Sequence, residues 1–269
     1  MAADIPALLA DLDAETDVVE HLLETLDDTV WESPTPAAGW AIRDQVSHLA
    51  YFDETATLAA IDPDRFRAEA AALMALGDDF AGKVAENCRN LSPDELFQWF
   101  RRARQAFLTV FRSVDPGTRL PWYGPGMSPA SSITARLMET WAHGQDIADT
   151  LGASLEPTRR LRHIARLGVG TLAFSFTLHG RPVPTAPVRV ILTAPDRDMW
   201  SWGPPEAADT VYGPALDFCL VVTQRRNVAD TALDLTGPVA TEWMTIAQAF
   251  AGPPGPGRPP GRFPGARHA

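Results

Sequence analysis

Glu139 and His143 stand four residues apart in Glu139-Thr-Trp-Ala-His143, so on a helix a carboxylate and an imidazole share one face. Paired with His48, far upstream, they form one anionic and two neutral donors. That is the ligand chemistry of a catalytic zinc, with a coordination position left for water, substrate or thiol. The spacing alone does not single them out, because Asp17/His21 and Asp44/His48 share it. The rest of the segment does. With 130–151 wound at about 100° per residue, Ile133, Leu137, Trp141, Gly144, Ala148 and Leu151 gather in one apolar sector, and Glu139, His143 and Asp146 gather opposite. The segment's other charges are Arg136 and Asp149, and a polar face so poor in charge is expected to look onto something other than bulk water.

His48 belongs to a second helical pattern, 42–60, where Ile42, Val46, Leu49 and Ala60 define the apolar stripe and His48 lies at its edge beside Phe52. Asp53 projects into the middle of that stripe, where a carboxylate is costly unless it is paired. Asp53, Asp146 and Gln145 are therefore candidates to orient ligands or move protons, the plainer alternative being caps, ion pairs or structural hydrogen bonds. For His48 the plainer alternative is a satisfied core histidine, and for Glu139/His143 a structural pair. Cys88 and Cys219, in different halves of the chain and without a CxxC, are expected to be buried free thiols.

The 269 residues suffice for one large domain or two modest ones. A net charge of −11 argues against a nucleic-acid partner, because phosphate backbones require a basic surface. The nearest basic cluster, Arg159-Arg160-Leu-Arg162 with Arg166, opens an expected helix and reads as a solvated face. No apolar run approaches the roughly 20 residues of a membrane span. The opening MAADIPALLADLDAE lacks the basic and apolar regions of a signal peptide, so a cytoplasmic location is expected.

Residues 5–178 carry the pattern of long helices, starting with Leu8, Leu9, Leu12, Val19, Leu22, Leu23 and Leu26 on one face. A loop over 29–39, with Pro34 and Pro36, leads into the His48 helix, and further helices are expected over 68–87, 92–114, 129–151 and 157–178. Ser92-Pro-Asp-Glu95 is a helix start, with Ser at the N-cap, Pro at the first position and Glu at the third. After His179-Gly-Arg-Pro182 the texture changes. Runs 188–193 and 199–202 read as strands, with short strands near Thr210 and over 232–235, and helices over 214–223 and 238–251. The expected organisation is a helical bundle over 1–181, a small α+β domain over 182–251 and a Pro/Gly-rich tail, disordered or loosely docked, over 252–269.

These segments resemble the DinB-like metal-dependent superfamily and, within it, the branch of mycothiol-dependent maleylpyruvate isomerase. The resemblance is carried by Thr35-Pro-Ala-Ala-Gly-Trp40, by Ile42-Arg-Asp-Gln-Val-Ser-His48-Leu49 and by Glu139-Thr-Trp-Ala-His143-Gly-Gln-Asp146. In the second half, Asp209-Thr-Val-Tyr-Gly-Pro-Ala-Leu-Asp217 and Gln224-Arg-Arg226 are similar to the family's sterol-carrier-like C-terminal domain. The resemblance implies a DinB-like four-helix bundle with a small α+β domain, and a divalent metal, usually zinc, on His48, Glu139 and His143. Nickel, cobalt and iron suit the same donors.

Two chemistries compete at such a centre. In one, the metal binds a low-molecular-weight thiol such as mycothiol and presents a thiolate to an electrophilic carbon, as an isomerase or transferase. In the other, it acts as a Lewis acid without a thiol, for isomerisation, cyclisation, dehydration or hydrolysis. The first needs a pocket for a sugar-bearing cofactor, and Arg225 or Arg226 is a candidate to close over its anionic group. The absence of a Gly-rich phosphate fingerprint, a CxxC pair or a dinucleotide motif gives no sign of redox cofactors. A non-enzymatic alternative is a small-ligand-binding protein with a structural metal, its apolar ligand beside Trp200 and Trp202, which are otherwise core packing. The expected partners are a small-molecule substrate and a thiol, with the chain a monomer or homodimer.

Overall fold

The computed structural model describes residues 4–77 and 79–263, and the chain divides into two compact units between Leu155 and Glu156. The first contains α1 (Ile5–Leu23), α2 (Ile42–Ile61), the shorter α3 (Pro63–Met74) and α4 (Phe80–Asn87), α5 (Pro93–Phe111) and α6 (Pro129–Leu151). The four long helices form the bundle: α2 lies against α5 and α6, and α1 against α6 and α5. Their apolar stripes meet inside, where Leu12, Val19, Ile42, Val46, Leu49, Phe100, Phe107 and Leu137 have no exposed surface. Each such side chain contributes about 1.5–3 kcal/mol of burial, which holds α2 and α6 side by side.

Local signals set the helix ends. Ser92 accepts from the Glu95 N–H at 3.3 Å while Glu95 accepts from the Ser92 N–H at 2.7 Å, closing the capping box ahead of α5. At α6, Ser128 accepts from the Ser131 N–H at 3.1 Å, and Gly152 ends the helix with φ of +65°. The single helix expected over 68–87 is two helices. Gly77 adopts φ of +107°, and Asp79 caps α4 through the Gly82 N–H, because neither glycine nor a capping aspartate favours helix continuation.

The second unit holds α7 (Leu161–Gly170), α8 (Leu172–Leu178), β1 (Val188–Thr193), β2 (Met199–Trp202), β3 (Asp209–Pro214), α9 (Ala215–Val222), β4 (Asp234–Thr236) and α10 (Pro238–Ile246). The sheet order is β2-β1-β3-β4, with β1 and β3 parallel and both outer pairs antiparallel. Its core includes Val190, Leu192, Trp200, Val211, Phe218 and Trp243. The helix expected over 157–178 breaks at Thr171, after Gly168 and Gly170. The division into units falls before the 181/182 boundary expected from sequence, because α7 packs on α9 and α8 on α10.

The helix expected to reach residue 251 ends at Ile246. The next residues pair instead with earlier backbone and side chain, Gln248 N–H with Ser175 Oγ at 3.1 Å and Ala249 N–H with the Val222 carbonyl at 2.8 Å. Residues 252–263 run back along this unit, where Asn227 Nδ2 donates to the Arg258 carbonyl at 2.9 Å and the Gly261 N–H to Asp230 Oδ1 at 2.7 Å. The tail's last residues, 264–269, lie outside the described ones. No helix among the described residues is long and apolar enough to cross a membrane.

Candidate metal centre

Helices α2 and α6 bring His48, Glu139 and His143 together, and one ligand atom from each lies within 4.8 Å of the others. His143 Nε2 is 3.1 Å, and His48 Nε2 3.4 Å, from the same carboxylate oxygen, Glu139 Oε2. Among the described residues this is the one cluster of three His, Cys, Asp or Glu side chains so arranged. Zinc–donor distances of about 2.0–2.1 Å in a tetrahedron place donors roughly 3.3 Å apart, so these separations fit a metal.

The hydrogen-bond chain behind His143 makes the stronger test. Thr35 Oγ1 donates to the Trp40 carbonyl at 2.8 Å, so that oxygen accepts from Gln45 Nε2, also at 2.8 Å. The Gln45 amide is thereby oriented, and its Oε1, in contact with His143 Nδ1, must accept a proton from it. A neutral His143 with its proton on Nδ1 presents a lone pair on Nε2. That lone pair faces a carboxylate oxygen, a contact that is favourable with a cation between the two. The donor set therefore fits a divalent ion by its tautomer as well as by its spacing.

Burial, reinforced by the neighbouring His143, lowers the His48 pKa to about 4, so the ring is neutral at pH 7. Burial raises the Glu139 pKa, but its interactions with His143 and His48 outweigh this and leave the carboxyl well below its ordinary value. Aromatic rings enclose the group. Phe52 packs on His48 at 4.6 Å between centroids, and Trp40 on His48 at 5.4 Å and stacked on His143 at 5.9 Å. Trp40 is held there by the turn that begins at Thr35, in which Gly39 takes φ of +79° and the Thr35 N–H donates to the Trp40 carbonyl.

Asp53 occupies the ion-paired place that was the plainer alternative for it. It is fully buried, accepting from Arg104 Nε at 2.7 Å and Arg136 Nε at 2.9 Å. Both of its oxygens are thus engaged by guanidinium groups, one from α5 and one from α6. Five residues past His48, it also points about 140° round α2 from that ring. Asp146 is wholly buried one turn beyond His143, and Gln145 beside it is also buried. Arg225 and Arg226 belong to the second unit, where Arg225 Nη1 donates to the Thr223 carbonyl at 2.7 Å and the Arg226 guanidinium lies 4.3 Å from the Phe263 ring. Of the basic cluster, Arg159 pairs with Asp196 and Asp198, and Arg162 covers the buried Trp200. Trp200 is thus core packing.

Gln45 and Trp40 were not singled out as site residues from the sequence. A signal for Gln45 existed: three residues before His48, it falls on the same side of α2.

Comparison with known proteins adds a lineage. A family model described as "Mycothiol maleylpyruvate isomerase N-terminal domain" matches residues 12–148. Uncharacterized proteins from two strains of Mycobacterium tuberculosis are 44% identical over 256 residues, spanning 95% of this chain and 100% of theirs. Crystal structures of the mycothiol-dependent maleylpyruvate isomerase and of a histidine-to-alanine mutant superpose with TM-scores of 0.57 and 0.56 at 14% and 15% identity. They cover 83% of this chain and 90% of theirs. At such identity the likeness is one of fold: a helical N-terminal domain with a small α+β C-terminal part.

Proposed function

The chain belongs to the mycothiol maleylpyruvate isomerase N-terminal domain family, and from that membership we propose that it is a divalent-metal-dependent, non-redox enzyme. In this reading it acts on a small unsaturated or carbonyl-bearing compound, as an isomerase or transferase, with mycothiol as its thiol cosubstrate. The observation that carries the reading is the convergence of His48 Nε2, His143 Nε2 and Glu139 Oε2, with the His143 tautomer set by Gln45. Zinc is the metal proposed, and nickel, cobalt or iron suits the same donors. A metal ion on these three ligands would supply an electrophilic centre with an open position, at which a thiol is acidified.

The chain's own residues prepare that position. Gln45 fixes which His143 nitrogen carries the proton, burial keeps His48 neutral, and Trp40 and Phe52 pack on the two imidazole rings. Neither cysteine supplies a thiolate of its own, since burial pushes the thiols of Cys88 and Cys219 above their ordinary pKa. This supports an external thiol.

The test is turnover of an electrophilic carbonyl compound by the metal-loaded protein, with and without mycothiol. Turnover that needs both metal and thiol supports the reading. Metal-dependent turnover undiminished without thiol would instead support a Lewis-acid enzyme, and function undiminished after metal removal a binding protein.

A further inference from the structure

A cleft of about 330 Å³ opens in the first unit, lined by Glu32, Gly39, Trp40, Arg43, Asp44 and Arg89, with Pro34 and Ala41. It is at the lower end of small-molecule sites, which run to roughly 300–1,000 Å³, and none of His48, Glu139 and His143 lines it. Trp40 nevertheless joins it to them, because the indole that lines the cleft also packs on His48 and His143. A group seated in the cleft ends one ring away from the metal donors.

The lining alternates in charge. Arg43 pairs with Glu32, and Arg89 with Asp44 at 3.1 Å, while Arg89 also donates to the Gly39 carbonyl. The side chains of Glu32 and Arg89 are 57% and 47% exposed, so polar atoms of both signs remain open to a ligand. Arg43 is nine-tenths buried and its Nε has no hydrogen-bond partner. Cations alone would select a polyanion, and an apolar lining a lipid-like group. Interleaved donors and acceptors beside an aromatic face match a hydroxyl-rich ring, whose hydroxyls both donate and accept while its C–H face lies on indole.

We propose that this cleft is the subsite for the sugar portion of the thiol cosubstrate, a hydroxyl-rich ring on Trp40 held by Glu32, Arg43 and Arg89, with the thiol arm reaching past the indole to His48, Glu139 and His143. The assignment rests on the thiol-dependent reading above and deepens it by giving that thiol a place.

The experiment titrates metal-loaded, full-length protein calorimetrically with two probes. S-methylated mycothiol keeps the sugars and cannot form a thiolate, and S-methylated N-acetylcysteine lacks the sugars. Glu32→Ala and Arg89→Gln change partly exposed side chains, and metal content and thermal melting establish that each variant is folded. Each is expected to weaken the sugar-bearing probe by about tenfold or more and to leave the sugarless probe unchanged. Equal loss for both probes, or full affinity for the sugar-bearing probe in both variants, overturns the assignment. So does a simple glucoside that binds as tightly as the sugar-bearing probe, which would give the cleft to a sugar-bearing substrate. A parallel turnover assay separates the two levels. Strict mycothiol dependence with unaltered probe binding removes the cleft and keeps the thiol reading, whereas thiol-independent turnover with neither probe bound removes both.

Discussion

In the proposed centre Gln45 is the residue that sets the His143 tautomer. Gln45→Leu keeps the bulk but removes the acceptor, so metal affinity should fall by about 10–100-fold in a chelator competition, with the fold retained. Unchanged affinity would mean that His143 finds its tautomer unaided. His48→Ala/His143→Ala should abolish metal uptake altogether, and full occupancy in that double variant would remove the site. Acid should weaken the metal-free protein in a defined window. His48 titrates near 4 when folded and near 6.5 when unfolded, so between those values the unfolded chain holds more protons. The stability contributed by the neutral ring is complete above the unfolded value and is lost as pH falls toward the folded one, by roughly 3 kcal/mol in all. The depressed Glu139 pKa acts in the same direction below the ordinary carboxylate range. Urea unfolding of chelator-treated protein at about pH 7 and about pH 5, beside His48→Phe, checks this. The acid loss should be smaller in the variant.

At the scale of the elements, one guanidinium ties the bundle together. Arg104, on α5 and 2% exposed, donates to Asp53 of α2, to Thr16 of α1 and to Thr140 of α6. Thr140 adjoins Glu139, and Arg136, the second partner of Asp53, lies one turn before it, so the network braces the helix that carries two ligands. Asp53→Ala leaves two buried cations without their shared anion and should cost about 3–5 kcal/mol in urea unfolding. A loss below 1 kcal/mol, as at an exposed pair, would contradict the role assigned to it. The sequence showed that Asp53 lay in an apolar stripe and needed a partner. It did not show which one, because Arg104 and Arg136 follow 51 and 83 residues later and only the packing of α2, α5 and α6 joins them. The grouping of Glu139 with His143 was legible because i, i+4 spacing and a charge-poor face are local properties, whereas the addition of His48 from α2 rested on the family resemblance. The tautomer and the Trp40 contacts were not legible, since they depend on the turn from Thr35 to Trp40 closing against α6. Strands β1 and β2 were legible to the residue from alternation, while the ends of α3, α4, α7 and α8 turn on glycines whose effect depends on the packing around them.

At the scale of the whole molecule, the division between the two units falls in an exposed connection. Residues 152–157 follow the left-handed Gly152 and are mostly exposed, whereas 252–263 are anchored by backbone and side-chain bonds to the second unit. Limited proteolysis should cut the seam before the anchored stretch and leave fragments separable at about residue 155. Early cuts inside α6 would contradict that order. The two cysteines carry a further consequence. With burial raising the pKa of both, thiol-directed reagents at neutral pH find little cysteine thiolate in the polypeptide. In the proposed chemistry the reactive thiol is borne by a diffusible molecule, so oxidation at that thiol inactivates a replaceable reagent and not a cysteine of the chain. Recovery then requires only that the small thiol be exchanged, on the timescale of diffusion and reduction, without resynthesis of the chain.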